Sequence, residues 1–202
     1  MERLIAWFNL LVLVGATLLF LYVYVKSVSP VQLEQEIGEE AWEKCKKYRM
    51  LSGVFEFVTF VNYAIYFFFP LRIGLPLVLP WEYWISVVLA MVIFVFGLVL
   101  MSLGIRDAGK ETLEPRKEHG LHGGIYNTVR HPQAIGESIL WFPFALLLNS
   151  PFLVLYSFVW LPIFYLMCLY EERDLILRFG EGYQEYRERV GFILPKRGAG
   201  ED

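Results

Sequence analysis

Arg130, His131 and Pro132 stand together at the mouth of the apolar run "PQAIGESILWFPFALLL", with Gly136 and Glu137 one turn inside it. Proline suits the first turn of a helix, where its missing N–H costs nothing, and a helix start offers free backbone N–H groups that favour an anion. Arg130 adds a planar fork that matches a carboxylate, and Gly136 removes a side chain so that something can approach the backbone. A second pair, Glu171 and Glu172, closes another apolar run. A helix C-terminus disfavours negative charge by about 0.3–1 kcal/mol, so two adjacent carboxylates there want a cation. The alternative is a pair of solvated interfacial acids balanced by Arg173. Anion-binding donors on one helix end and carboxylates on the next suit a zwitterion such as an amino acid.

Two further carboxylates stand inside apolar runs. Glu56 shares a helical face with Thr59, Tyr63 and Tyr66, and an acid within a membrane points by default to a site facing the bundle. A structural hydrogen bond to a neighbouring helix, or burial in protonated form, would account for it equally well. Glu137 either lines a pocket or pairs with Arg130. His119 and His122 have the i,i+3 spacing of metal ligands, but no other ligand cluster accompanies them, so no metal site is expected.

The elements that must position these residues follow from composition. Of 202 residues, 56% are hydrophobic and 19% charged, too apolar a balance for a soluble domain. The aromatic fraction of 17% fits rings at two membrane interfaces. A formal net charge of −3 argues against nucleic acid as a partner. Cys45 and Cys168 lack the close spacing of a zinc or redox pair and read as free thiols.

A helix needs about 20 apolar residues to span the hydrocarbon core, which selects five segments: Leu4 to Val25, Met50 to Phe69, Trp81 to Leu103, Pro132 to Leu148 and Pro151 to Tyr170. The expected fold is therefore all-α, a polytopic membrane protein of about five transmembrane helices with a C-terminal amphipathic helical segment. The first run lacks a basic start and a small-residue cleavage pattern, so it is expected to stay as a span. The last two runs are separated by Asn149 and Ser150, a tight turn between antiparallel helices. The loops on one side hold 16 of the 18 Lys and Arg residues, which predicts an outside N-terminus and a cytosolic C-terminus. Between the first two spans, Gln32 to Tyr48 reads as a solvated helix with Glu40 and Lys44 at i,i+4. Pro143 and Pro162 each interrupt a span, as kinks or plain irregularities. The expected organisation is three N-terminal spans over 1–104 with a polar loop near 26–49, a core over 105–195, and a disordered tail over 196–202.

The hairpin fixes the geometry. Pro132 lies about 18 residues before the turn and Glu171 about 21 after it; at about 1.5 Å per residue they sit roughly 27 and 32 Å away. Both return to the same interface, so "RHP" and "EE" are expected side by side.

"GGIYNTVRHPQAIGE" followed by "EERDLILRFGEGYQEYRERVGFILP" resembles the C-terminal half of the isoprenylcysteine carboxyl methyltransferase and phospholipid methyltransferase superfamily. The shared pattern is Gly-x-Tyr, Arg-His-Pro-x-x-x-Gly, a helical hairpin, Glu-Glu, then Phe-Gly-x-x-Tyr-x-x-Tyr ending near a Pro. It covers about Gly123 to Pro195. The resemblance implies S-adenosylmethionine as methyl donor, bound at the cytosolic interface. Carried over by position, Tyr126, Arg130, His131, Pro132 and Gly136 form one cofactor-binding segment, with Glu171 and Glu172 as the other. The chain departs from the pattern at Ala134, where Tyr is frequent, and before Gly-x-Tyr, where His119, Gly120 and His122 replace a common Leu-Val pair. Ala134 and Glu56 are accordingly assigned to the substrate side.

The expected activity is methyl transfer to a lipophilic small-molecule or prenylated acceptor reached from membrane lipid. An isoprenylcysteine-type carboxylate leads, with a phospholipid amine or another small N- or S-nucleophile as alternatives. A carboxylate needs no base, and Arg130 would orient it; an amine or thiol needs one, with His131 or Glu137 as candidates. A membrane reductase is a reading of another class, because some sterol and fatty-chain reductases resemble the superfamily in their C-terminal helices. The sequence shows no clear basic cluster for the extra phosphate of NADPH. A scaffold without chemistry is the third.

Overall fold

The computed structural model describes residues 1–115 and 123–196. Its helices are α1 (Glu2–Ser27), α2 (Pro30–Ile37), α3 (Glu40–Phe68), α4 (Tyr83–Ala108), α5 (Pro132–Leu147), α6 (Pro151–Ser157), α7 (Trp160–Phe179) and α8 (Glu181–Arg189), with short 3₁₀ turns at Gly109–Thr112 and Gly124–Asn127. The chain is thus an all-α polytopic membrane protein, as its composition requires. His119, His122 and the terminal "RGAGED" lie outside the described residues.

Among the described residues, four helical stretches are long and apolar enough to cross a bilayer: Glu2–Ser27, Glu40–Phe68, Tyr83–Thr112 and Pro151–Phe179. The remaining expected span is the 16-residue α5. At about 1.5 Å per residue it reaches about 24 Å, short of the hydrocarbon thickness. Its length is set by Pro132 at one end and the turn at the other. Asn149 adopts φ 52, and the Ser150 hydroxyl caps α6 by accepting from the Leu153 N–H. The Asn149 side chain also accepts from the Leu79 N–H, which ties the hairpin turn to the loop before α4.

The last expected span is interrupted. Helix α6 ends at Ser157 and α7 starts at Trp160; Pro162 has no N–H to return to Phe158, so the ladder breaks there. Helix α5 continues through Pro143. The expected cytosolic helix over Gln32 to Tyr48 is likewise divided. Gly38, at φ 73, separates α2 from α3, and α3 runs without interruption from its polar first turns into the apolar span.

Aromatic packing fills the centre. The rings of Trp141 and Trp160 stack at 4.2 Å with an interplanar angle of 4°. Phe20 meets Trp160 edge-on at 5.4 Å, and Tyr63 tilts against Trp141 at 5.1 Å. Lipid is as apolar as leucine, so helices there associate through close packing and polar staples. Asn9 donates to the Asn62 carbonyl at 3.1 Å and Tyr156 donates to the Thr17 hydroxyl at 2.9 Å, tying α1 to α3 and α6.

Helices α4 and α5 approach through glycines. A Cβ on Gly136 would sit 2.5 Å from the Gly97 carbonyl oxygen and 2.7 Å from the Met101 nitrogen. The close approach expected at Gly136 is therefore made by α4, and the cofactor-binding role assigned to Gly136 becomes one of helix packing. Gly104 similarly admits Gln133 and Pro132, the first residues of α5.

Gly136→Ala must push α4 and α5 apart, a strain of the order of about 1–3 kcal/mol. Gly15→Ala, with nothing within 4 Å of the added Cβ, should be neutral or gain up to about 1 kcal/mol. Thermal unfolding of both variants in detergent should show a clear drop for the first and none for the second.

Candidate active site

The hairpin brings the two predicted motifs together. Arg130 Nε donates to Glu172 Oε1 at 2.6 Å, and His131 Nε2 lies 3.1 Å from the same oxygen. Arg187 of α8 approaches the other oxygen at 3.2 Å. The Glu172 side chain is 4% exposed and that of Arg130 8%. A carboxylate at the end of a helix and away from water is costly. Here three cationic or cation-forming groups from two other segments compensate it.

The adjacent acid is placed differently. Glu171 keeps 41% of its side chain exposed, 3.5 Å from His131 Nδ1. Successive helical residues point about 100° apart, so Glu172 turns inward while Glu171 lines the cavity. Only one of the two predicted carboxylates thus faces a prospective ligand.

Arg130 also donates through Nη1 to the carbonyls of Arg187 and Val190, at 3.0 and 2.7 Å. These carbonyls lie at the end of α8, where a helix leaves acceptors unsatisfied. The Arg130 N–H reaches the Gly191 carbonyl at 2.9 Å, and its guanidinium lies over the Phe192 ring at 5.3 Å. Arg130 therefore fastens the C-terminal segment to the hairpin. The fork expected to meet a ligand or acceptor carboxylate is engaged within the chain.

A polar cavity opens at this end of the bundle. Six aromatic residues line it: Tyr24, Tyr126, Phe164, Phe179, Tyr183 and Tyr186. Its charged lining is Arg49, Arg130, Arg178, Glu111, Glu137, Glu171 and Asp174, with His131 among them, and Gln133 and Ala134 bring the start of α5 to its wall. Pro132 is buried at the first position of α5, with His131 as N-cap, as its ring and missing N–H predict. Tyr126 is held by Gln133, which donates to its hydroxyl at 2.8 Å, and by Tyr186, which donates to its carbonyl at 2.7 Å. Burial pushes the Tyr126 hydroxyl well up, so it stays protonated.

Several residues of this cavity escaped sequence reasoning. Arg49 donates to the Ser27 hydroxyl at 2.9 Å and to the Thr112 carbonyl at 2.7 Å, joining α1, α3 and the turn after α4. Arg178 pairs with Glu111 at 2.6 Å. Asp174 accepts from the Gln32 N–H at 3.0 Å, capping α2 from another helix. Each stands at the end of an apolar run, a weak signal that selects interfacial residues without saying which meet.

Glu56 is absent from this cavity's wall. It lines a second, apolar cavity of about 350 Å³ between α3, α4 and α5, and Glu137 lines both.

Burial by itself pulls the His131 imidazolium down, but hydrogen bonds with Cys168, Glu171 and Glu172 together raise it well above the ordinary value. A raised folded value makes its stabilising contribution complete below about pH 6.5 and lost as pH rises through that higher value. His131→Gln should flatten this alkaline loss in pH-resolved thermal melts. Arg130→Ala leaves Glu172 with one cation fewer in a buried place and should cost about 3–5 kcal/mol; a melt shifted by less than a degree would remove Arg130 from the account.

Residues 85–181 match the phospholipid methyltransferase family. Among curated proteins, the chain is 37% identical over 89 residues to methanethiol S-methyltransferase 1 of Bradyrhizobium diazoefficiens (strain JCM 10833 / BCRC 13528 / IAM 13628 / NBRC 14792 / USDA 110), an overlap of 44% of this chain and 30% of that protein. The chain thus aligns with less than a third of that relative's length. No solved structure matches. The family match reaches back from the hairpin through α4 and ends at the start of α8, so it contains Arg130, His131, Glu137, Glu171 and Glu172. Over residues 85–181 the chain is similar to the phospholipid methyltransferase family, in keeping with the superfamily resemblance carried by its Arg-His-Pro and Glu-Glu motifs.

Proposed function

We propose that the protein is an integral membrane methyltransferase that uses S-adenosylmethionine and methylates a lipophilic acceptor. The observation that carries this reading is the polar cavity where the start of α5 meets the end of α7, two ends that both lie in the family-matched segment. Its lining suits the donor. Glu171 offers a carboxylate to an ammonium group, the start of α5 at Gln133 and Ala134 offers a helix end to a carboxylate, and the aromatic wall offers ring faces to an adenine and to a sulfonium cation. When bound, the donor supplies an electrophilic methyl group.

The residues of the chain position and enclose. Glu172, locked by Arg130 and His131, fixes the end of α7 and with it the direction of Glu171. Tyr126, Tyr183 and Tyr186 wall the cavity from the loop before α5 and from α8. Such positioning accounts for much of the acceleration of a bimolecular transfer. The charge distribution supports placing this end on the cytosolic side, with the N-terminus outside.

An isoprenylcysteine-type carboxylate, the acceptor first expected, would need a cation to orient it, and Arg130 is committed to Glu172, Arg187 and Val190. The acceptor is therefore better sought among lipophilic nucleophiles that need a base; the name of the matched relative, a thiol methyltransferase, supports this direction.

Calorimetry with S-adenosylhomocysteine should show binding to the full chain. Glu171→Gln should weaken it about tenfold, the worth of roughly one charge-assisted hydrogen bond. Stabilisation by NADPH, with none by S-adenosylhomocysteine, would select the reductase reading instead.

A further inference from the structure

The second cavity is lined by Phe57, Phe60, Leu140, Trp141 and Phe144, with Gly53 also on its wall. Phe57 is 64% exposed and Phe60 41%, so its mouth faces the lipid side of α3. Its volume of about 350 Å³ lies in the range of small-molecule sites. Its charged lining residues are Glu56 and Glu137, and no Lys, Arg or His is among the described residues that line it. Glu56 from α3 and Glu137 from α5 bring their carboxyl groups to the same cavity, where they interact with one another. Two carboxyl groups brought together in an apolar cavity with no cation on its wall favour one proton shared between them, because like charges disfavour full ionisation. Glu137 alone of these residues also faces the polar cavity. It stands at the junction of an apolar chamber open to lipid and the polar chamber proposed for the donor.

Resting on the methyltransferase reading, we propose that this second cavity holds the methyl acceptor, a small apolar molecule whose nucleophilic atom carries a proton as S–H or N–H, and that the Glu56–Glu137 pair takes that proton. An anionic acceptor is disfavoured because the chamber presents acids and no cation. In the step, the S–H bond of a thiol, or one N–H bond of an amine in its ammonium form, breaks, with its electrons left on sulfur or nitrogen and its proton on the Glu137 carboxylate. The freed pair bonds to the transferred methyl carbon, and the electrons of that carbon's former bond return to the donor's sulfur. The proton then leaves through the polar cavity to water, so atoms and charge balance.

The test uses the full chain in lipid nanodiscs with hexanethiol, hexylamine and hexanoate as acceptors, and S-adenosylhomocysteine binding measured for every variant. Expected are methylation of the thiol or the amine but not of hexanoate, and a loss of about 100-fold in kcat in Glu137→Gln with S-adenosylhomocysteine affinity kept within about twofold. An infrared carbonyl band from the shared proton should be present in the wild type at neutral pH and absent from the Glu56→Gln, Glu137→Gln double variant. Gly53→Leu adds bulk at the chamber wall, where nothing lies within 4 Å of an added Cβ, and should raise the KM for the preferred acceptor about tenfold with little change in the melt. Preference for hexanoate, wild-type turnover in Glu137→Gln, or an unchanged infrared band overturns the inference while leaving donor binding standing. Failure of the wild type to bind S-adenosylhomocysteine overturns both readings.

Discussion

The fold of the functional end depends on one buried carboxylate. Glu172 sits at the end of α7, where the helix dipole is against it and water is largely excluded, yet it is held at 2.6 Å by Arg130, at 3.1 Å by His131 and at 3.2 Å by Arg187. Those three partners come from the start of α5 and from α8, so neutralising one charge joins three separate pieces of chain. Arg130 then extends the lock to the carbonyls at the end of α8 and to Gly191. Removing the carboxylate would free two helix ends at once. The polar cavity exists because these ends are fixed around it.

The same geometry divides labour between neighbours in sequence. Glu172 and Glu171 differ by one helical step, which turns one into the lock and leaves the other facing the cavity. Glu137, one turn into α5, takes no part in the lock and stands between the polar cavity and Glu56. Gly136 beside it makes this possible, since the carbonyl of Gly97 and the backbone of Met101 fill the space its side chain would take. Close packing of α4 against α5 thus determines where Glu137 points, and a packing residue acquires influence over the chemistry without touching a ligand.

Much of this was legible in the sequence because helical rise is a ruler. Counting from the Asn149–Ser150 turn was enough to bring Arg130 and His131 level with Glu171 and Glu172, and Pro132 announced the start of α5. The shortness of α5 was hidden, because an apolar run reports its composition and its end lies in the turn geometry of Asn149. The break between Ser157 and Trp160 was only half legible: Pro162 marked a weak point, but whether neighbours restore the helix is decided by tertiary packing. The engagement of Arg130 by backbone carbonyls could not be read at all, since carbonyls carry no residue identity. Nor could the meeting of Glu56 with Glu137, which depends on the rotation of α3 about its own axis, or the capping of α2 by Asp174, which depends on where two distant segments dock.

The central claim is that the hairpin locked by Glu172 builds the donor site. Hydrogen–deuterium exchange of the full chain, with and without S-adenosylhomocysteine, tests it most directly. Protection concentrated in residues 123–137 and 164–187, where the cavity wall lies, is the expected result; protection absent from both segments, or confined to the far ends of α1 and α3, would contradict it.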